Sequence, residues 1–132
     1  MTAQVDRIAR ELERLGERIV RAIVFEVTAE LVASTPVDTG WARANWIPSI
    51  GAPNTSTRTN RPTPGIVPSA AAEQAAGLAI MSTFELGQTA FITNNVPYIS
   101  KLNGGSSTQA PANFVDRAVQ SGVIQAARKF AT

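Results

Sequence analysis

Apolar residues recur every three or four positions from Val5 through Ile8, Leu12, Leu15, Ile19, Ile23 and Val27 to Leu31, the spacing that lines up side chains on one face of an α-helix. A helix over residues 3–34 follows, about 45 Å long at 1.5 Å per residue. Its first half is heavily charged, with Asp6/Arg10 and Glu17/Arg21 oriented acid before base at a spacing of four, which supports a helix locally. From Ile19 onward Val20, Val24 and Phe25 widen the apolar face. The second half is therefore expected in the core and the charged half is expected to project, with Gly16 near the change of character. Pro36 stops the helix, because the residue before a proline is pushed out of helical geometry.

Further along, residues 41–50 read as a strand with Trp46 and Ile50 on one face and Trp41, Arg43 and Ile47 on the other, and Pro48 assigns it to a sheet edge. Residues 51–69 are rich in proline, threonine and asparagine and read as an extended loop that cannot bury enough apolar surface to order itself. An alanine-rich stretch over 70–86, anchored by Leu78, Met81 and Phe84 and capped by Gly87, predicts a second helix. Residues 89–93 and 98–102 predict a hairpin through the Asn94-Asn95-Val96-Pro97 turn, with Asn103-Gly104-Gly105 ending its second strand. Asn113 then caps a last helix with Phe114, Ala118, Ile124 and Ala127 near one face. The order predicts an α+β fold: a long N-terminal helix packed on a small, mostly antiparallel sheet, with a second helix and a C-terminal helix, in one domain spanning 1–132.

Composition narrows the chemistry more than the fold. The 132 residues contain no cysteine and no histidine, which removes disulfides, thiolate nucleophiles and the commonest general base and metal ligand. A net charge of +2, from 12 basic and 10 acidic residues, demands neither nucleic acid nor an anionic membrane. Charges at Asp6, Arg7, Arg10 and Glu11 interrupt any N-terminal apolar run, so neither a signal peptide nor a membrane span is expected. Asp38 is the carboxylate best placed for catalysis, yet beside Pro36, Thr39 and Gly40 it reads as a turn acceptor with no partner base. The Gly104–Thr108 run superficially resembles a phosphate cradle but lacks the lysine and is separated from its helix by Pro111. No cofactor, metal site or enzymatic activity is expected.

Two segments do carry a signature. The run Pro36-Val37-Asp38-Thr39-Gly40-Trp41-Ala42-Arg43-Ala44-Asn45-Trp46, with Asn94-Asn95-Val96-Pro97-Tyr98, Asn103-Gly104 and Gln109-Ala110-Pro111 after it, resembles the neck or tail-completion family of long-tailed bacteriophages. Members of that family read Pro-Val-Asp-Thr-Gly, a large residue, Arg, then Asn or Ser with Trp, and later Asn-Pro-Tyr-Ala, Glu-Gly and Gln-Ala-Pro. Asn103 stands where the family carries glutamate, and Ile99-Ser100 where a small residue follows the tyrosine. The resemblance implies a structural virion protein at the head–tail junction, synthesised in the host bacterial cytoplasm. It implies a ring of copies, six suiting tail symmetry and twelve the portal. It also implies docking on a head connector or adaptor and on a tail terminator or tail tube protein, around a channel that passes double-stranded DNA without reading its sequence.

On this reading Asp38, Gly40, Trp41, Arg43, Trp46, Asn95, Pro97, Tyr98, Gly104, Gln109 and Pro111 serve structure and interface. Arg10, Arg14 and Arg18 of the charged half-helix and Arg58 and Arg61 of the loop are the partner contacts. The alternative is a small non-specific DNA-binding protein that uses those same arginines on phosphates, against which the interleaved acids of the first helix argue.

Overall fold

The computed structural model describes residues 3–36, 42–56, 79–105 and 111–130. Helix α1 (Ala3–Ser34) runs unbroken for 32 residues, and its apolar stripe divides as the charge pattern predicts. Val24, Val27, Leu31 and Val32 are buried, whereas Val5, Ile8, Leu12 and Leu15 stand exposed. Gly16 lies within this continuous helix and provides room for a neighbour, since a Cβ there would meet the Leu86 side chain at 3.1 Å.

Strand β1 (Ile47–Ile50) pairs antiparallel with β2 (Ala90–Thr93), Ile47 opposite Thr93 and Ile50 opposite Ala90. The Gly51 amide continues the ladder onto the Thr89 carbonyl at 2.8 Å. Since bonded and non-bonded pairs alternate in an antiparallel ladder, Pro48 falls on a non-bonded position, where its missing N–H costs the sheet nothing. Helices α2 (Ile99–Asn103) and α3 (Phe114–Phe130) follow. The arrangement is α+β, a long N-terminal helix with a two-stranded antiparallel sheet and further helices, one of them C-terminal.

Several local expectations are corrected. The stretch 98–102 is not the second strand of a hairpin: it enters α2, and the partner of β2 is β1, more than forty residues earlier. Ile99 and Leu102 both pack against the core, which a strand would forbid by sending them to opposite faces and a helical turn allows. The strand expected over 41–50 begins only at Ile47, because Arg43–Asn45 forms a turn of 3₁₀-helix ahead of it. Helix in the second-helix region ends at Met81 instead of Leu86, and residues 70–78 lie outside the described part. The reason is a competing attachment to α1. Arg21 donates to the carbonyls of Met81 and Phe84 at 3.1 and 3.0 Å, and the Leu86 amide donates to Glu17 at 3.2 Å.

The last helix buries the expected Phe114 and Ala118, but in its second half it packs on a different face from the one marked by Ile124 and Ala127. Phe114, Ala118, Gly122 and Ala126 are buried, while Ile124 is exposed and Ala127 lies outside the contact. The i, i+4 run of small residues lets α3 approach α1 until backbones touch, the arrangement that a Gly or Ala seam permits. The Lys129 ammonium closes the seam, 2.6 Å from Glu26 and above the Phe25 ring.

The core has two parts joined at Ile92. One gathers Val27, Leu31, Val32, Trp46, Phe114 and Ala118; the other gathers Val24, Met81 and Phe84. Thr28 is buried with them and its hydroxyl makes no hydrogen bond. A buried donor left unmade costs about 1–3 kcal/mol, so Thr28→Val, which keeps the shape and removes the hydroxyl, should raise the urea midpoint, by roughly 1 kcal/mol in stability. An unchanged or lower midpoint would show that the hydroxyl has a partner in solution.

Candidate functional site

Of the motif residues within the described part, Arg43 and Trp46 meet the C-terminal end of α1. That end carries no basic residue in its last turn, although its free carbonyls form the negative pole of the helix. Arg43 supplies the missing cation from the 3₁₀ turn, its Nε donating to the Val32 carbonyl at 2.9 Å. Thr35 adds a second tie: its hydroxyl donates to the Leu31 carbonyl and accepts the Trp46 indole N–H at 2.7 Å. Trp46, 5 % exposed, thus places its ring in the core and its polar edge on the helix end, which suits a residue that is mostly apolar with one donor.

The second motif reaches the first through Asn94, whose side-chain amide donates to the Ala42 carbonyl at 2.8 Å while its oxygen accepts the Val96 amide at 3.1 Å. Asn95 is exposed and holds the start of the long loop, its side-chain amide donating to the carbonyls of Asn54 and Ser56 at 2.7 and 3.0 Å. The Thr93 hydroxyl reaches the same Asn54 carbonyl at 3.0 Å. Pro97 is exposed and Tyr98 half-buried immediately before α2. Gly104 follows that helix, its amide bonding the carbonyls of Ser100 and Lys101. Pro111 lies exposed ahead of α3.

Entry into α3 is held chiefly from outside it. The Asn103 side-chain oxygen accepts the Val115 amide at 3.1 Å, and the Asn103 carbonyl accepts the Asn113 amide at 2.7 Å. The capping side chain is thus Asn103, at the end of α2, and Asn113 takes part through its backbone. Asp38, Gly40, Trp41 and Gln109, with Arg58 and Arg61 of the loop, lie outside the described residues. Arg10, Arg14 and Arg18 are exposed on the projecting half of α1, well away from the motif residues.

Sequence reasoning missed Thr35 and Asn54 and the tether that Asn94 makes to Ala42, missed Arg21 farther back on α1 as the residue that fastens Met81 and Phe84, and missed Gly122 as the contact that sets the helix spacing. Gly122 did leave a signal, the Ala118, Gly122, Ala126 spacing, outweighed by the larger neighbours. The polar tethers left none, because each of these residues has a partner distant in sequence: Arg21 meets Met81 and Phe84, Thr35 meets Trp46, Asn54 meets Asn95 and Asn94 meets Ala42.

What the arrangement offers chemically is surface. Between the sheet and the two long helices lies an apolar groove of about 520 Å³, with Val24, Val27, Trp46 and Ile92 inside and Val119 and Val123 along one lip. Among the described residues no group of three or more acidic side chains is placed to hold a metal ion, and no helix is long and apolar enough to cross a membrane. No family model, curated protein or solved structure matches the chain.

Proposed function

We propose that the protein is a structural subunit of the head–tail junction of a long-tailed bacteriophage, one copy in a ring that joins the head connector to the tail and leaves a channel for DNA. The reading is carried by one observation: the two segments that resemble the neck or tail-completion signature bind each other and clamp the end of α1, through Asn94 on Ala42 and Trp46 on Thr35. Motif residues used this way build a platform instead of a reaction centre. A subunit of an assembly also needs uncovered surface, and the chain supplies a projecting half-helix and a two-stranded sheet, since a short sheet leaves backbone edges available for pairing.

In the ring, Arg10, Arg14 and Arg18 face a partner. Interleaved charges of this kind contribute little affinity individually and set register collectively. Six subunits suit the symmetry of a tail, and the lumen need only pass the duplex without binding its phosphates strongly. The decisive experiment disrupts the gene in the phage that carries it and images the particles. DNA-filled heads and unattached tails are expected, with the protein present at the neck of wild-type virions. Complete, infectious particles lacking the protein would overturn the reading. Reversal of Arg10, Arg14 and Arg18 to glutamate should reproduce the joining defect while leaving the circular dichroism of the purified chain unchanged.

A further inference from the structure

The molecule exposes two apolar surfaces that match each other and cannot meet within one chain. The first is convex: Val5, Ile8, Leu12 and Leu15 are 38 to 62 % exposed at spacings of three and four, the pattern by which a helix anchors in a groove. The second is the concave groove of about 520 Å³, whose lip residues Val119 and Val123 are 39 % and 42 % exposed. Its floor is the second half of the same helix, α1 from Val20 to Leu31. Leu12 lies about 18 Å along the axis from Val24 at 1.5 Å per residue, and α1 is one uninterrupted helix, so the stripe cannot fold back into its own groove. Nor does α3 cover it: α3 ends at Phe130, in a cleft shared with Ile19 and Ile23, one turn short of Leu15.

We propose that the groove receives the projecting half of α1 from a second copy of this chain, with Leu12 and Leu15 seated between the sheet and Val119 and Val123. The contact joins two different patches, so unless two copies exchange it reciprocally it passes from subunit to subunit and closes into a ring when the rotation allows. It rests on the ring reading for closure alone. Every subunit in a closed ring gives one helix and receives one, so each takes part in two such contacts, whereas each member of an open pair takes part in one. Holding each subunit by two contacts favours the closed form over the open pair. Leu86, exposed beside Gly16, extends the stripe sideways and would meet the groove wall of the receiving subunit.

Disulfide trapping tests the contact, because the chain contains no cysteine of its own. Leu12→Cys and Val119→Cys, each at an exposed position and checked by circular dichroism, are mixed and oxidised. A covalent one-to-one product is expected in the mixture and not in either variant alone, and the double variant should give a ladder of covalent oligomers. A charge version keeps the test independent of disulfide geometry. Leu12→Asp and Val119→Asp should each sediment as monomers, and their mixture as a dimer, since one supplies an intact groove and the other an intact helix. Ready dimers of Leu12→Cys alone would show that stripe pairs with stripe and overturn the proposal. So would a mixture that yields no crosslink at any concentration, or a Val119→Asp chain that assembles like wild type. Trapping reads the contact in purified protein and particle imaging reads the location, so either can fail without the other.

Discussion

Gly122→Ala should destabilise the protein by about 3 kcal/mol or more, the upper end of what overpacking a core costs, and lower Tm on the order of 10 °C for a chain of this size. The sign is the informative part. In an exposed helix the same change stabilises by about 1 kcal/mol, because alanine is the better helix former. Here a Cβ at residue 122 would stand 2.5 Å from the Val27 Cα and 2.7 Å from its amide nitrogen and Cγ2. Two of those three atoms are backbone, so no rotamer change relieves the clash and the helices themselves must separate. For the same reason Val27→Ala, which removes only the Cγ2 contact, should not rescue Gly122→Ala. Separation would also widen the floor of the groove and loosen Phe114 and Ala118, which pack with Val27 in one cluster. A Gly122→Ala chain with wild-type Tm, measured by scanning calorimetry, would show that α1 and α3 lie farther apart than described.

The contrast between α1 and the remaining elements shows what the pattern of residues could convey. Helix α1 was legible because thirty residues of period and a proline stop all speak locally, and because charge marks the half that solvent keeps. The stretch Tyr98 to Leu102 is too short for its period to be read with weight: Ile99 and Leu102 stand at the i, i+3 spacing of a helical turn, and their shared packing against the core decides for it. The buried face of α3 was placed correctly at Phe114 and Ala118 and misplaced beyond them, where Gly122 and Ala126 are buried in place of Ile124 and Ala127. Backbone contact selects the smallest side chains, so Ala118, Gly122 and Ala126 turned inward and Val119, Val123 and Ile124 were left outside. The pairing of β1 with β2 had no local signal at all, since Ile47 and Thr93 are far apart in the chain. Within the candidate site, Trp46 and Asn95 could be named from the sequence, but their partners could not. Thr35, Asn54 and Ala42 matter for where the fold places one hydroxyl and two carbonyls.

Substitution of Trp46 should separate the two tasks of that side chain. Trp46→Ala is expected to cost about 3–5 kcal/mol, the range for truncating a buried aromatic, out of the roughly 5–15 kcal/mol that holds a domain together. Trp46→Phe keeps most of the apolar contact with Leu31 and Phe114 but loses the donor to Thr35, leaving a buried hydroxyl oxygen that still donates to the Leu31 carbonyl and no longer accepts. Its expected cost is about 1–3 kcal/mol, so urea melts should rank wild type above Trp46→Phe and Trp46→Phe above Trp46→Ala. A double-mutant cycle with Thr35→Val isolates the hydrogen bond, and a coupling of about 1 kcal/mol is expected for residues in direct contact. Trp46 also lines the groove, so Trp46→Ala should weaken assembly beyond its effect on folding, when compared at a temperature where both chains are fully folded. Trp46→Phe, which keeps an aromatic wall, should assemble nearly as wild type. If the two variants fell to the same stability, the indole N–H would be the dominant contribution and the ring mere filling; if neither lost stability, the Trp46–Thr35–Leu31 relay would not be what fastens the strand to the end of α1.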